Sequence, residues 1–210
     1  TTSSTVMTVF APRAWPALKI NNEQGLHWEW FMTQHALAEP ALFYVRLLFA
    51  SGDLARMNAI PPNTTAWLRY QAVKTINEAL SEPTRATSDA LILAVGRIAL
   101  HECLYGNRET SNRVHRPAQA RMIAMRAGIE ALNFPELVKR LMRWADDIMA
   151  RQGGTERLLE VGDESQNFSL KERIEALESW VPPEPDADQR NAQCALPSAG
   201  TFIKTEGHRD

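Results

Sequence analysis

The side chains able to do proton or metal chemistry gather in one stretch of this chain: His101, Glu102, Cys103 and His115. His101-Glu102 opens like the HExxH pair of a zinc hydrolase, which places two imidazoles four residues apart so that they share one helical face. The second ligand position is occupied by Tyr105, and the motif fails. His27 and His35 stand among Trp28, Trp30 and Phe31 and read as packing or surface histidines. Cys103 and Cys194 have no CxxC spacing, so they build neither a disulfide framework nor a zinc site and fit a reducing intracellular compartment. The chain has no GxSxG elbow, no GxGxxG turn and no P-loop. Cys103 falls inside an apolar predicted helix, where a buried thiol is inert. The expectation is therefore no catalytic residue, no metal and no cofactor. Should the chain be an enzyme of another type, His101, Glu102 and His115 are the first residues to suspect.

Arg108, Arg113, Arg116, Arg121 and Arg126, offset across that span only by Glu109, form the one basic concentration. Such a series can meet phosphate or an acidic partner, or can be a solvated helix face that caps carbonyls and pairs with carboxylates; the second is the commoner arrangement. It is too sparse for a basic import signal. Over the whole chain of 210 residues, Lys+Arg 23 against Asp+Glu 25 leaves −2, which disfavours sequence-blind DNA binding through counterion release. The longest apolar stretch, Leu91–Leu104, is shorter than the ~20 residues that cross a bilayer. No membrane association is expected, and with no signal peptide at Thr1–Phe10 the sequons at Asn63 and Asn167 are expected to stay bare.

Helices must position these groups, since no run alternates apolar and polar residues as a half-buried strand does. Glu39-Pro40, Ile60-Pro61-Pro62, Glu82-Pro83, Gly106-Asn107 and Gly128 divide segments of helix length. They predict helices over Leu26–Leu37, Ala41–Met57, Thr64–Leu80, Asp89–Tyr105, Pro117–Leu132 and Pro135–Arg151. Ser88 is a good N-cap for the fourth, with Gly106 in the position of a closing glycine. Leu91, Leu93, Val95, Ile98, Leu100 and Leu104 spread round most of that helix and make it the central one. On the fifth, Ala118, Met122, Met125 and Ile129 form a core-facing stripe. Its arginines then emerge beside apolar contacts, where Arg121 and Arg126 can bridge to Glu102 or Asp146, with His115 at the helix entry.

Thr1–Arg151 carry 17 basic and 13 acidic residues, and Gln152–Asp210 carry 6 and 12, so composition changes near Gln152-Gly153-Gly154. Beyond it, a capping box at Ser169–Glu172 starts an amphipathic helix over Leu170–Trp180, either the last of the bundle or one that docks elsewhere. Val181–Asp210, with four prolines, reads as a disordered tail. The expected fold is all-α: an irregular multi-helix bundle with a central buried helix, an N-terminal extension over 1–25, a helical domain over 26–180 and the tail over 181–210.

The ordered series Ala86–Leu91, His101-Glu102, Gly106-Asn107, His115 and Arg121–Gly128, followed by Trp144-Ala145-Asp146 and preceded by Tyr70–Leu80, resembles the fungal-specific transcription factor domain. That domain is the regulatory region usually attached to a binuclear zinc-cluster DNA-binding module. The resemblance covers roughly Pro40 to Arg151 and implies that Asp89, Glu102, His115, Arg121, Met122, Arg126, Gly128, Trp144 and Asp146 carry a structural or regulatory signature. Ala127 departs from it where the first of two glycines is expected, and Ala118 where a glycine often follows the histidine. With two cysteines against the six of a zinc cluster, the chain is either a relative without the module or a portion whose DNA-binding part lies outside it.

The resulting expectation is a regulatory domain, nuclear by resemblance and otherwise cytoplasmic. It works through a protein partner, another transcription regulator or a second copy, or through a small effector, with no sequence-specific DNA binding of its own. An alternative is a helical ligand-binding module in which Trp28, Trp30, Met122 and Met125 line an apolar cavity.

Overall fold

A computed structural model describes residues 20–159 of the chain. Its first helix, α1 (Asn22–Ala38), starts four residues before its apolar pattern because Asn21 makes a capping box. The Asn21 carboxamide accepts from the Gln24 N–H at 2.8 Å, and the Gln24 side chain accepts from the Asn21 N–H at 3.2 Å. One residue joins it to α2 (Pro40–Arg56). Glu39, preceding a proline, is held extended at φ −130 and ψ 107. Its buried carboxylate caps the Ala41 N–H and takes two hydrogen bonds from Arg85, at 2.7 and 3.2 Å.

Two prolines start α3 (Pro62–Leu80), and Ser88 caps α4 (Asp89–Tyr105) by accepting from the Leu91 N–H at 3.3 Å. Eleven residues of α4 are buried, among them Leu91, Ile92 and Ile98, and it touches α2 and α3 on one side and the two later helices on the other. Each such fully buried aliphatic chain stabilises the fold by ~1.5–3 kcal/mol. This is the central helix of an all-α bundle, and no strand occurs among the described residues.

Between α4 and α5 (Arg116–Met125) the chain is already helical: a turn at Arg108–Thr110 runs into a π-helical segment at Ser111–His115. Pro117 accounts for the wide turn. It has no N–H to give residue 113, and its ring crowds that carbonyl, so the preceding turn opens and the Arg116 N–H reaches back five residues to Ser111. The expected Pro117–Leu132 helix stops at Met125, because Ala127 (φ 63) and Gly128 (φ 96) both turn left-handed, and Ile129–Ala131 form only a 3-10 turn. Last comes α6 (Glu136–Gly153), with Val138, Leu141, Met142 and Ile148 turned to the core and left-handed Gly154 (φ 60) closing it.

Gly106 closes α4 differently from a left-handed glycine. Its φ is −126, and what requires glycine is space, since a Cβ there would sit 2.3 Å from Glu102 Oε2. No helix among the described residues is long and apolar enough to cross a membrane. The predicted Leu170–Trp180 helix and the Val181–Asp210 tail lie outside the described residues.

Candidate functional site

The acidic residues of the motif series are each taken up by a tie between helices. Glu102 is 1% exposed on the inner face of α4. Its carboxylate accepts from Arg69 Nε of α3 at 2.5 Å and from the Asn107 N–H at 2.8 Å, fastening α3, α4 and the turn that follows. Asp89, at the start of α4, accepts from Arg126 at 3.0 Å, and Arg126 also donates to the Thr87 carbonyl at 2.8 Å. Asp146 of α6 is buried and accepts Arg116 Nε at 3.0 Å and Nη2 at 2.8 Å on one oxygen. Its other oxygen accepts the N–H groups of Leu158 and Leu159, at 2.7 and 3.0 Å. Arg116 continues to Asn112, Thr155 and the Glu156 carbonyl, so this one guanidinium pins the segment after α6 against the start of α5.

The expected bridging by Arg121 and Arg126 to Glu102 and Asp146 is therefore corrected. Arg69 and Arg116 make those bridges. Arg116, expected on the solvated face, is 2% exposed, because it sits at the first position of α5 where the π turn swings it toward α6. Arg126 bridges instead to Asp89, while Arg121 is exposed. Met122 is buried in the core and Gly128 supplies the left-handed exit from α5. Trp144 is half-buried on α6 and lines a small cavity.

His101 and His115 both lie within electrostatic range of Glu102 and Arg69. His101 is 2% exposed, its ring against Phe49 and Tyr105, and neither ring nitrogen has a hydrogen-bond partner among the described residues. Burial, partly countered by Glu102, pulls its pKa down to about 4, so the imidazole is neutral at pH 7. Burial also lowers His115, whose Nε2 is enclosed. A sealed neutral imidazole packed on aromatic rings is a poor proton carrier for an outside substrate. Cys103 is likewise buried, its thiol pushed up by burial and donating to Gln152 Oε1 at 3.2 Å. No group of His, Cys, Asp and Glu able to hold a metal ion occurs among the described residues.

Trp28, Trp30, Met122 and Met125 do not share a cavity. Trp28 and Met122 are buried, whereas Trp30 is 63% and Met125 67% exposed. Residues two apart on a helix face nearly opposite ways, which separates the tryptophans. Met125 ends α5 just before the left-handed turn, so the stripe expected through Ile129 is broken there. Outward aromatic residues instead gather on α2 and α3. Phe43, Tyr44 and Trp67 form an edge-to-face chain with centroids 5.6 and 6.1 Å apart, and Tyr70, one turn beyond Trp67, is 63% exposed. Sequence reasoning passed over this face because helical periodicity reports which residues are buried, and single aromatics outside the stripe carry no signal.

The chain matches no protein-family model, no curated protein and no solved structure.

Proposed function

We propose that this chain is an all-α regulatory interaction domain of the transcription-factor type, acting in the nucleus through a protein partner and without sequence-specific DNA binding of its own. The observation that carries the reading is the division of labour among its side chains. The polar residues of the ordered motif series, Asp89, Glu102, Arg126 and Asp146, are committed to ties between helices. The large aromatic residues left outward on α2 and α3 are Phe43, Trp67 and Tyr70, two of the types that dominate protein-binding energy among them.

Two measurements on the purified full chain test it together. In a gel shift the chain alone should give no sequence-specific complex. In pull-downs from nuclear extract it should retain a defined partner, identified by mass, that Trp67→Ser with Tyr70→Ser releases. Tight, sequence-specific DNA binding by the chain alone, or partner retention indifferent to both substitutions, overturns the reading.

A further inference from the structure

Arg97 leaves the middle of α4, the most deeply buried helix, and is itself half-buried, with one nitrogen shut away from solvent. Its guanidinium carbon lies 4.4 Å from the Phe49 ring centroid and 5.6 Å from that of Trp28. Ring contacts of this kind satisfy the flat faces of a guanidinium but leave its in-plane N–H donors unused. Nε is fully enclosed and has no hydrogen-bond acceptor among the described residues. The carboxylate that acts on it most, Glu29, is already held by Arg46 at 2.7 Å. Arg46, Glu29 and Arg97 together thus carry one uncompensated positive charge. Burial lowers Arg97 only to about 10, so the charge persists at neutral pH.

An enclosed N–H with no acceptor is costly even where the rest of the guanidinium reaches solvent. Arg116 shows how this protein handles the same problem elsewhere, with Asp146, Asn112, Thr155 and a backbone carbonyl all as acceptors. Arg97 has instead a cavity of about 40 Å³ beside it, lined also by Trp28, Leu100, Gln119, Met142 and Trp144. That volume holds little more than one water-sized group of ~30 Å³. It fits a head group, with the body of a ligand lying along the half-buried lining residues Trp144 and Ala145.

The geometry points to a binding site for a small monocarboxylate, its planar head group paired with the Arg97 guanidinium in the cavity and its apolar portion against Met142 and Trp144. A planar two-oxygen anion matches the guanidinium fork. The remaining wall is almost wholly apolar, which disfavours phosphate and other anions that need donors on every side. This site is independent of the aromatic face on α2 and α3 and of the partner proposed for it.

The test follows the Arg97 Nε–H resonance and tryptophan fluorescence of the full chain during titration with sodium benzoate. Benzamide, sodium chloride and sodium phosphate at matched ionic strength serve as controls. Benzoate should move the Arg97 resonance saturably and change the fluorescence, and benzamide should bind at least about 10-fold more weakly. Arg97→Gln should lose at least about 10-fold in benzoate affinity, and Arg97→Lys, which keeps the charge without the fork, should fall between. The inference is overturned if benzoate and benzamide bind alike, if chloride or phosphate saturates at the same concentration, or if Arg97→Gln binds benzoate like the parent. It is equally overturned if neither benzoate nor butyrate produces a saturable change up to about 50 mM. The resonance readout needs no variant, so a failure of Arg97→Gln to fold leaves the test intact.

Discussion

At the scale of single residues, burial decides which charges matter. Arg116 and Asp146 are 1% and 4% exposed in their side chains, whereas Arg126 and Asp89 are 35% and 26% exposed. Removing one member of a desolvated pair strands the other, at a cost of ~3–5 kcal/mol, while a solvated pair is worth under ~1 kcal/mol. Urea melts should therefore rank Arg116→Ala as severe, Arg126→Ala as mild and Arg121→Ala as nearly silent. An Arg126→Ala loss equal to that of Arg116→Ala contradicts the assignment. His101 gives the fold a pH dependence of definite sign. Its imidazole titrates near the ordinary 6.5 when unfolded and at about 4 when folded, so the unfolded chain binds the proton first. Stability is whole above pH 6.5 and is lost as pH falls from there toward 4, by ~2 kcal/mol at pH 4.5. His115 contributes in the same direction, and the raised Asp53 carboxyl in the opposite one. Comparison with His101→Gln isolates the effect: the gap in stability between pH 7.5 and 4.5 should shrink by ~2 kcal/mol in the variant. An unchanged gap would show that His101 is not buried neutral.

At the scale of elements, the sequence was most legible where local chemistry and burial agree. Ser88, followed by apolar residues on every side of α4, marked both the bounds of that helix and its central place. Pro40, Pro62 and Pro135 likewise located the starts of α2, α3 and α6 to within two residues. The stretch from Arg108 to Ala131 was read less well, for two reasons. A proline that normally starts a helix here follows a π turn, and a left-handed alanine ends α5 where the apolar periodicity runs on. Arg116 was misplaced for the same cause, since its facing depends on the extra residue in that turn. The partners of Glu102 and Asp146 come from 33 and 30 residues away, and no pattern in a single sequence reports such pairings. Two substitutions test the element ends. Ala127→Gly relieves a left-handed alanine at φ 63, a strain of ~1–2 kcal/mol partly offset by the greater freedom of glycine when unfolded, and should stabilise by ~0.5–1 kcal/mol. Gly106→Ala should do the reverse. Its new Cβ displaces the Glu102 carboxylate from Arg69 and the Asn107 N–H, at ~1–3 kcal/mol. A raised urea midpoint for Gly106→Ala, or a lowered one for Ala127→Gly, contradicts the respective end.

For the molecule as a whole, the central claim is that its buried polar residues build the bundle and its outward aromatic face does the work. The most direct measurement ties the full chain to an unrelated DNA-binding domain and reads a reporter gene beneath that domain's site in a fungal nucleus. Trp67 and Tyr70 are 53% and 63% exposed, so Trp67→Ser and Tyr70→Ser should cost ~1–2 kcal/mol, chiefly the ring contact of Trp67 with Tyr44, and leave the fold intact. The account predicts that the parent fusion changes reporter output severalfold in one direction and that the doubly substituted fusion, at equal abundance, returns it to the level of the DNA-binding domain alone. A parent fusion that leaves the reporter unchanged, or a substituted fusion as active as the parent, would contradict it.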